Sequence, residues 1–189
     1  GIDHILFLLV LIAGSRRLRE IVLAATTFTI AHSVTFILAA TGLVTVSSRI
    51  IEPVIALSIA VIAGWNLWQL ACRRTAAFTL TLTSGPLGLD RAGWLRLGVV
   101  FCFGLVHGLG FASALGIDEP WSWTLLWSLL VFNLGIEVVQ LVIIAVVFPL
   151  LVLLRRRVPR VGLWVSALLG IGVAIAGLVW FVQRLAGAG

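Results

Sequence analysis

The sequence between positions 122 and 153 reads SWTLLWSLLVFNLGIEVVQLVIIAVVFPLLVL, and this stretch decides the fold. Its one charged residue, Glu137, lies in a run of Val, Leu and Ile. A membrane-spanning helix needs about 20 mainly apolar residues, so the stretch is long enough to cross a bilayer. Because lipid cannot satisfy backbone hydrogen bonds, we predict that the segment is helical.

Five further apolar runs flank this one, at approximately 1–14, 21–43, 50–71, 94–116 and 162–183. Hydrophobic residues make up 61% of the chain and charged residues 11%, whereas globular domains carry about a quarter charged residues. We therefore predict an all-α, polytopic membrane helix bundle of about six transmembrane helices in a lipid bilayer, with residues 1–189 forming a single transmembrane domain. The first run is short for a span, so we expect its helix to be incomplete at the N-terminus. An extracytoplasmic domain or partner protein preceding Gly1 is a hypothesis that follows.

The basic residues predict the orientation. All 13 are arginines, and all but Arg49 and Arg184 lie in or beside the connections after the first, third and fifth runs. Since arginine-rich connections stay in the cytoplasm, both ends of the chain are expected outside, N-out and C-out. We interpret the arginines as topology signals and expect no nucleic-acid partner.

Three smaller features complete the predicted organisation. Residues 73–93 are Thr-rich and contain SGPLG at 84–88, which indicates a loop or a short interfacial segment. Cys72 and Cys102 lie on different runs without CxxC spacing, so we expect two buried thiols. Small residues at helical spacing on the fourth run predict close helix packing: Gly104, Gly108 and Ala112.

Ionisable residues inside the apolar runs are the best candidates for function. Each costs about 2.5–3.5 kcal/mol to insert, so its presence is a functional hypothesis by default. This chain places all three of its histidines and three acids in or at the start of such runs: His4, His32, His107, Asp3, Glu137 and Glu52.

Two polar stripes support a common site. One follows the i, i+4, i+7 spacing of the fifth helix and comprises Asn133, Glu137 and Gln140; the other lies on the second helix and comprises Thr29, His32, Ser33 and Phe36. We predict that both stripes and His107 face one another, with Ser33, Asn133 and Gln140 as supporting polar groups.

Three imidazoles with two or three carboxylates suit a divalent transition metal such as nickel, cobalt or zinc, as substrate or as ligand. Structural readings stay open for individual residues. His32 alone is compatible with a hydrogen-bonded core histidine. Glu52, followed by Pro53, is favoured at a helix start by the helix dipole, and Asn133 and Gln140 are also suited to joining helices.

Four motifs resemble those of the HupE/UreJ family of bacterial membrane proteins: GIDHILFLL at 1–9, FTIAHS at 28–33, FGLVHGLGFA at 103–112 and FNLGIEVVQ at 132–140. The resemblance implies a nickel or cobalt permease, or an accessory protein linked to hydrogenase and urease. Nickel-linked members carry a second histidine in the fourth-helix motif, which here reads HGLGF at 107–111. The metal therefore stays open among nickel, cobalt and zinc.

The leading hypothesis is a permease or metal-handling membrane protein. A divalent transition metal would be bound by Asp3/His4, His32, His107 and Glu137, with Glu52 at the entrance, and Glu137 would compensate charge and exchange a proton. We expect no enzyme activity, since neither HExxH nor a GxSG-type serine is present. Two alternatives are a haem-binding electron carrier that uses His32 and His107, and a structural or assembly subunit of a membrane complex.

Overall fold

The protein is described by a computed structural model that covers residues 2–15, 17–75, 89, 91–115 and 122–187. Within these residues the chain is all-helical, with six helices in the order α1 (Ile2–Gly14), α2 (Leu18–Ala40), α3 (Ser48–Thr75), α4 (Arg91–Leu115), α5 (Trp123–Arg157) and α6 (Pro159–Leu185). Both margins of the segment 73–93, predicted as a loop, are helical, because α3 continues to Thr75 and α4 begins at Arg91. Residues 76–88 lie outside the described part.

Five of the described helices, α2 to α6, are long and apolar enough to cross a membrane. The sixth, α1, has 13 residues, which corresponds to about 20 Å at 1.5 Å per residue. It is therefore shorter than the roughly 30 Å of a hydrocarbon core. The helical fold class is confirmed, whereas five helices of membrane length are found where about six were predicted.

Helix α1 packs against α2, α3, α5 and α6 and is central to the bundle. Five of its side chains are almost completely buried: Phe7, Leu8, Val10, Leu11 and Ile12. Phe7, Val10 and Leu11 join an apolar core to which α2, α3, α4 and α6 also contribute, and Leu8 and Ile12 join a second one with α2 and α5. A short helix is thus held by its longer neighbours.

The C-terminal end of α1 has its carbonyl groups bound by side chains of other helices. Asn66 of α3 donates to the Val10 carbonyl at 2.8 Å, and Arg96 of α4 donates to the Leu11 carbonyl at 2.8 Å. Arg155 of α5 donates to the carbonyls of Ala13 and Ser15. Because the last carbonyls of a helix have no backbone partner within it, these side chains supply donors at the end of α1, and the Leu11 carbonyl also accepts from the Ser15 hydroxyl.

Helices α2 and α4 approach each other closely at two glycines. A Cβ atom at Gly104 would lie 2.6 Å from the Phe28 carbonyl oxygen and 2.8 Å from Ala31 Cβ. At Gly108 it would run into the Thr35 hydroxyl and the His32 carbonyl. The small residues therefore allow the backbones to touch, as predicted for the fourth run.

Large apolar side chains cover the outer faces of α5 and α6, as in helices that contact lipid. Cys72 and Cys102 are also exposed, so the prediction of two buried thiols is wrong. In a membrane protein the outer surface is as apolar as the core. A small apolar residue such as cysteine consequently gives no indication of the side it faces.

Candidate metal centre

The three histidines come from three helices and meet in the bundle. The ring centroid of His4, on α1, lies 5.1 Å from that of His32 on α2 and 5.4 Å from that of His107 on α4. His32 and His107 are each only 1% exposed. The close α2/α4 contact at Gly104 and Gly108 positions the last two, and the central position of α1 brings His4 between them.

Phenylalanines surround the imidazoles. The ring of Phe28 lies 5.5–5.8 Å, centroid to centroid, from each of the three histidines. Phe36 packs on His32 at 5.7 Å, and Phe7 lies 6.1 Å from His107. The shell is apolar, and an apolar shell of this kind limits water access and strengthens polar interactions inside it.

Asn133 of α5 binds His32. Its Oδ1 lies 3.0 Å from His32 Nδ1, and its Nδ2 donates to the Leu129 carbonyl at 2.8 Å. Asn133 is 3% exposed. The contact connects the α5 stripe directly to an imidazole, which is the arrangement predicted from the spacing.

Ser58 of α3 binds His107, and the sequence analysis missed it. Its hydroxyl oxygen lies 3.2 Å from His107 Nε2 and donates to the Ile55 carbonyl at 2.7 Å. The one available signal was its position, since Ser58 is the single polar side chain between Pro53 and Trp65. A buried serine in such a run is compatible with many roles, and only the packing of α3 against α4 identifies its partner.

Further hydrogen bonds join α2 to α5 on the N-terminal side of His32 in α2. Thr26 donates to Glu137 Oε1 at 2.7 Å, and Thr29 donates to Gln140 Oε1 at 3.2 Å. Glu137 Oε2 is buried and has no hydrogen-bond partner among the described residues. The hydroxyl of Ser33 is used within α2, where it donates to the Thr29 carbonyl.

Asp3 and Glu52 lie at the end of the bundle opposite the capped end of α1. Asp3 Oδ2 forms an ion pair with Arg184 at 3.3 Å, and the same guanidinium donates to the backbone carbonyl of Glu52 at 3.1 Å. A cavity of about 430 Å³ here is lined by Glu52, Arg49 and Arg184 among others. Arg184 is thus a second residue that sequence reasoning left without a role.

A groove of about 440 Å³ between α1 and α5 reaches one of the histidines, His4, from the side. It is lined by His4, Leu8, Phe132, Ile136 and Gln140 among others. His4, the least buried of the three histidines, forms part of its wall. The groove connects the centre to the outer face of α5.

No three His, Cys, Asp or Glu side chains in the described part of the chain are arranged so that they could hold a metal ion as they stand. The ring separations from His4 are those of packed aromatic side chains, for which centroids lie about 4.5–7 Å apart. They are also compatible with ligation, because two imidazoles sharing a tetrahedral ion, with nitrogens about 2.0–2.1 Å from it, have centroids roughly 5 Å apart.

The comparison with protein families identifies the chain. A family model described as HupE / UreJ protein matches residues 1–184. The chain belongs to the HupE/UreJ family. No curated protein matches the sequence, and no solved structure does.

For a HupE/UreJ protein, the five membrane-length helices have a direct meaning: the chain is a multi-pass membrane protein. The resemblance found in the four sequence motifs is confirmed over essentially the whole chain. Family membership carries with it the general association with nickel or cobalt that the resemblance implied. The three histidines described above all lie within the matched residues.

Proposed function

We propose that this HupE/UreJ protein is a permease for a divalent transition metal ion, with His4, His32 and His107 as ligands. The family points to nickel or cobalt, and imidazole ligands also suit zinc. The observation that carries the proposal is the convergence of three imidazoles from three helices, two of them 1% exposed. Buried histidines are rare in membrane helices, and three together are costly unless they share a purpose.

The ring spacing supports this ligand set. The ring centroid of His4 lies 5.1 Å from that of His32 and 5.4 Å from that of His107, and in the proposal the rings reorient around a shared ion. The acids have separate roles in the proposal. Asp3 and Glu52 attract the cation at the mouth beside Arg184, and the unpartnered Oε2 of Glu137 compensates its charge near the middle of the membrane.

The proposed topology is six spans, N-out and C-out, in a bacterial inner membrane. Two arginines from different arginine-rich connections, Arg96 and Arg155, bind carbonyls at the end of α1. The connection that follows α1, also arginine-rich, begins at this end. These connections therefore share one end of the bundle, as the positive-inside rule requires of cytoplasmic segments. Arg184 lies at the other end with Asp3, which becomes the outer mouth.

The haem alternative is less well supported by the packing. A porphyrin would need a slot between His32 and His107, but the rings of His4 and Phe28 both lie against these two histidines. The alternative of a structural or assembly subunit is supported by the hydrogen bonds Thr26–Glu137 and Thr29–Gln140, which join α2 to α5. It gives no reason for three imidazoles to meet.

The test is titration of the purified protein with Ni²⁺, Co²⁺ and Zn²⁺ by calorimetry, together with elemental analysis. We expect one bound ion per chain, and loss of binding in His32→Leu and His107→Leu. Thr41→Val is the matched control, because it removes a hydroxyl from the C-terminal end of α2 without removing an imidazole. A wild-type protein that binds none of the three ions, or one that carries a Soret band, would overturn the proposal.

A further inference from the structure

The hydrogen bonds at His32 and His107 involve different ring nitrogens. At His32 the bonded atom is Nδ1, and at His107 it is Nε2. A neutral imidazole donates from one nitrogen and carries a lone pair on the other, so each bond bears on which nitrogen can bind a metal.

At His32 the neighbouring amide determines the direction of the bond. Asn133 Nδ2 donates to the Leu129 carbonyl, which turns Oδ1 toward the imidazole. An amide oxygen can only accept a hydrogen bond. The proton of His32 therefore lies on Nδ1, and the lone pair on Nε2.

At His107 the hydroxyl of Ser58 has the corresponding role. Its hydrogen is donated to the Ile55 carbonyl at 2.7 Å, so its oxygen is left to accept from His107 at 3.2 Å. The proton of His107 then lies on Nε2, and the lone pair on Nδ1. Ser58 is 6% exposed, which leaves little water to compete for the bond.

We infer that Asn133 and Ser58 are positioning residues that fix the tautomers of the two histidines, so that His32 presents Nε2 and His107 presents Nδ1 to the metal. The inference rests on the proposed function for its metal, while the tautomers themselves follow from the hydrogen bonds alone. Ligating histidines commonly donate their other N–H to an oxygen, and loss of that oxygen costs about 10–100-fold in metal affinity.

The direct test is a long-range proton–nitrogen correlation spectrum of the metal-free protein labelled with ¹⁵N-histidine. The chain has three histidines, so single substitutions assign every signal. We expect a proton on Nδ1 of His32 and on Nε2 of His107. Any other pattern overturns the inference, whether or not metal binds.

Substitutions test the effect on the metal. Asn133→Leu and Ser58→Ala should each show mixed tautomers at the affected ring and metal binding weaker by about 10–100-fold. Asn133→Asp keeps an acceptor for Nδ1, so it should keep the proton of His32 on Nδ1 and should not weaken metal binding. If Asn133→Leu does not fold, Asn133→Asp and the wild-type spectrum still decide.

Two controls separate positioning from packing. Thr41→Val removes a side-chain hydrogen bond at the C-terminal end of α2, and Ser15→Ala removes another buried serine that donates to its own helix. Both should keep the tautomers and the metal affinity. Equal losses of affinity in the controls and in the test variants would overturn the inference. A wild type with the expected tautomers but no metal affinity would instead overturn the proposed function, and with it the metal-facing role.

Discussion

Replacing Gly104 with alanine tests whether the contact between α2 and α4 builds the metal centre. The added Cβ would lie 2.6 Å from the Phe28 carbonyl oxygen and 2.8 Å from Ala31 Cβ, whereas ordinary contacts begin at 3.4 Å. Both neighbours belong to the α2 backbone or are fixed to it, so the helices must separate locally by about 0.6–0.8 Å in this close-packed interface.

The magnitude follows from two opposing effects. Alanine favours a helix over glycine by about 0.8–1.0 kcal/mol, while backbone shifts forced by an added methyl group cost about 1–3 kcal/mol. Gly98→Ala is the matched control, because Gly98 is on α4 and has nothing within 4 Å of its virtual Cβ. The free energies of unfolding of the two variants should therefore differ by about 1–3 kcal/mol, with Gly104→Ala the less stable.

Metal affinity should respond as well. His107 lies one turn beyond Gly104 and His32 one turn beyond Phe28, so a separation of about 0.6–0.8 Å exceeds the roughly 0.2 Å that ligand distances tolerate. We expect Gly104→Ala to bind metal at least about tenfold more weakly than Gly98→Ala. Stability would be followed by tryptophan fluorescence in mixed detergent and affinity by calorimetry. Equal stability and equal affinity of the two variants would refute the proposed role of the helix contact.

Two further predictions concern the ends of the bundle. Arg155→Gln should lower the free energy of unfolding by about 2–4 kcal/mol, because buried carbonyls at the end of α1 lose their donor. Arg157→Gln, at an exposed position, should change it by less than about 0.5 kcal/mol. Similar unfolding curves for both variants would contradict the role of Arg155 at the end of α1. The orientation can be tested in a chain without its two native cysteines. With an impermeant thiol reagent, Gly187→Cys should react in intact cells, and Val158→Cys should react only after lysis. The reverse pattern would show that the proposed orientation is inverted.

The sequence analysis was most successful where helix periodicity determines the outcome. The i, i+4, i+7 spacing on the fifth run correctly predicts that Asn133, Glu137 and Gln140 face α2, where they bond to His32, Thr26 and Thr29. The six apolar runs correspond to the six described helices. Both results need only the geometry of a single helix and the cost of exposing polar groups to lipid.

Other features depend on packing that a single helix does not encode. Ser58 forms a hydrogen bond with His107 only because α3 packs on α4. Arg96 and Arg155 were interpreted as topology signals, and their long side chains also reach the carbonyls of α1. The exposure of Cys72 and Cys102 was predicted wrongly because lipid-facing and core-facing apolar residues look alike in a membrane sequence. The predicted ligand role of the histidines and the acids stays a prediction.

The capped end of α1 has a consequence for biosynthesis. The Ser15 carbonyl obtains its donor from Arg155, 140 residues later in the chain, so at 5–20 residues per second it waits roughly 7–30 s during translation. Until then the Ser15 carbonyl must accept its hydrogen bond from another donor, such as water. The end of α1 opposite His4 therefore gains the two Arg155 hydrogen bonds only after α5 has been made.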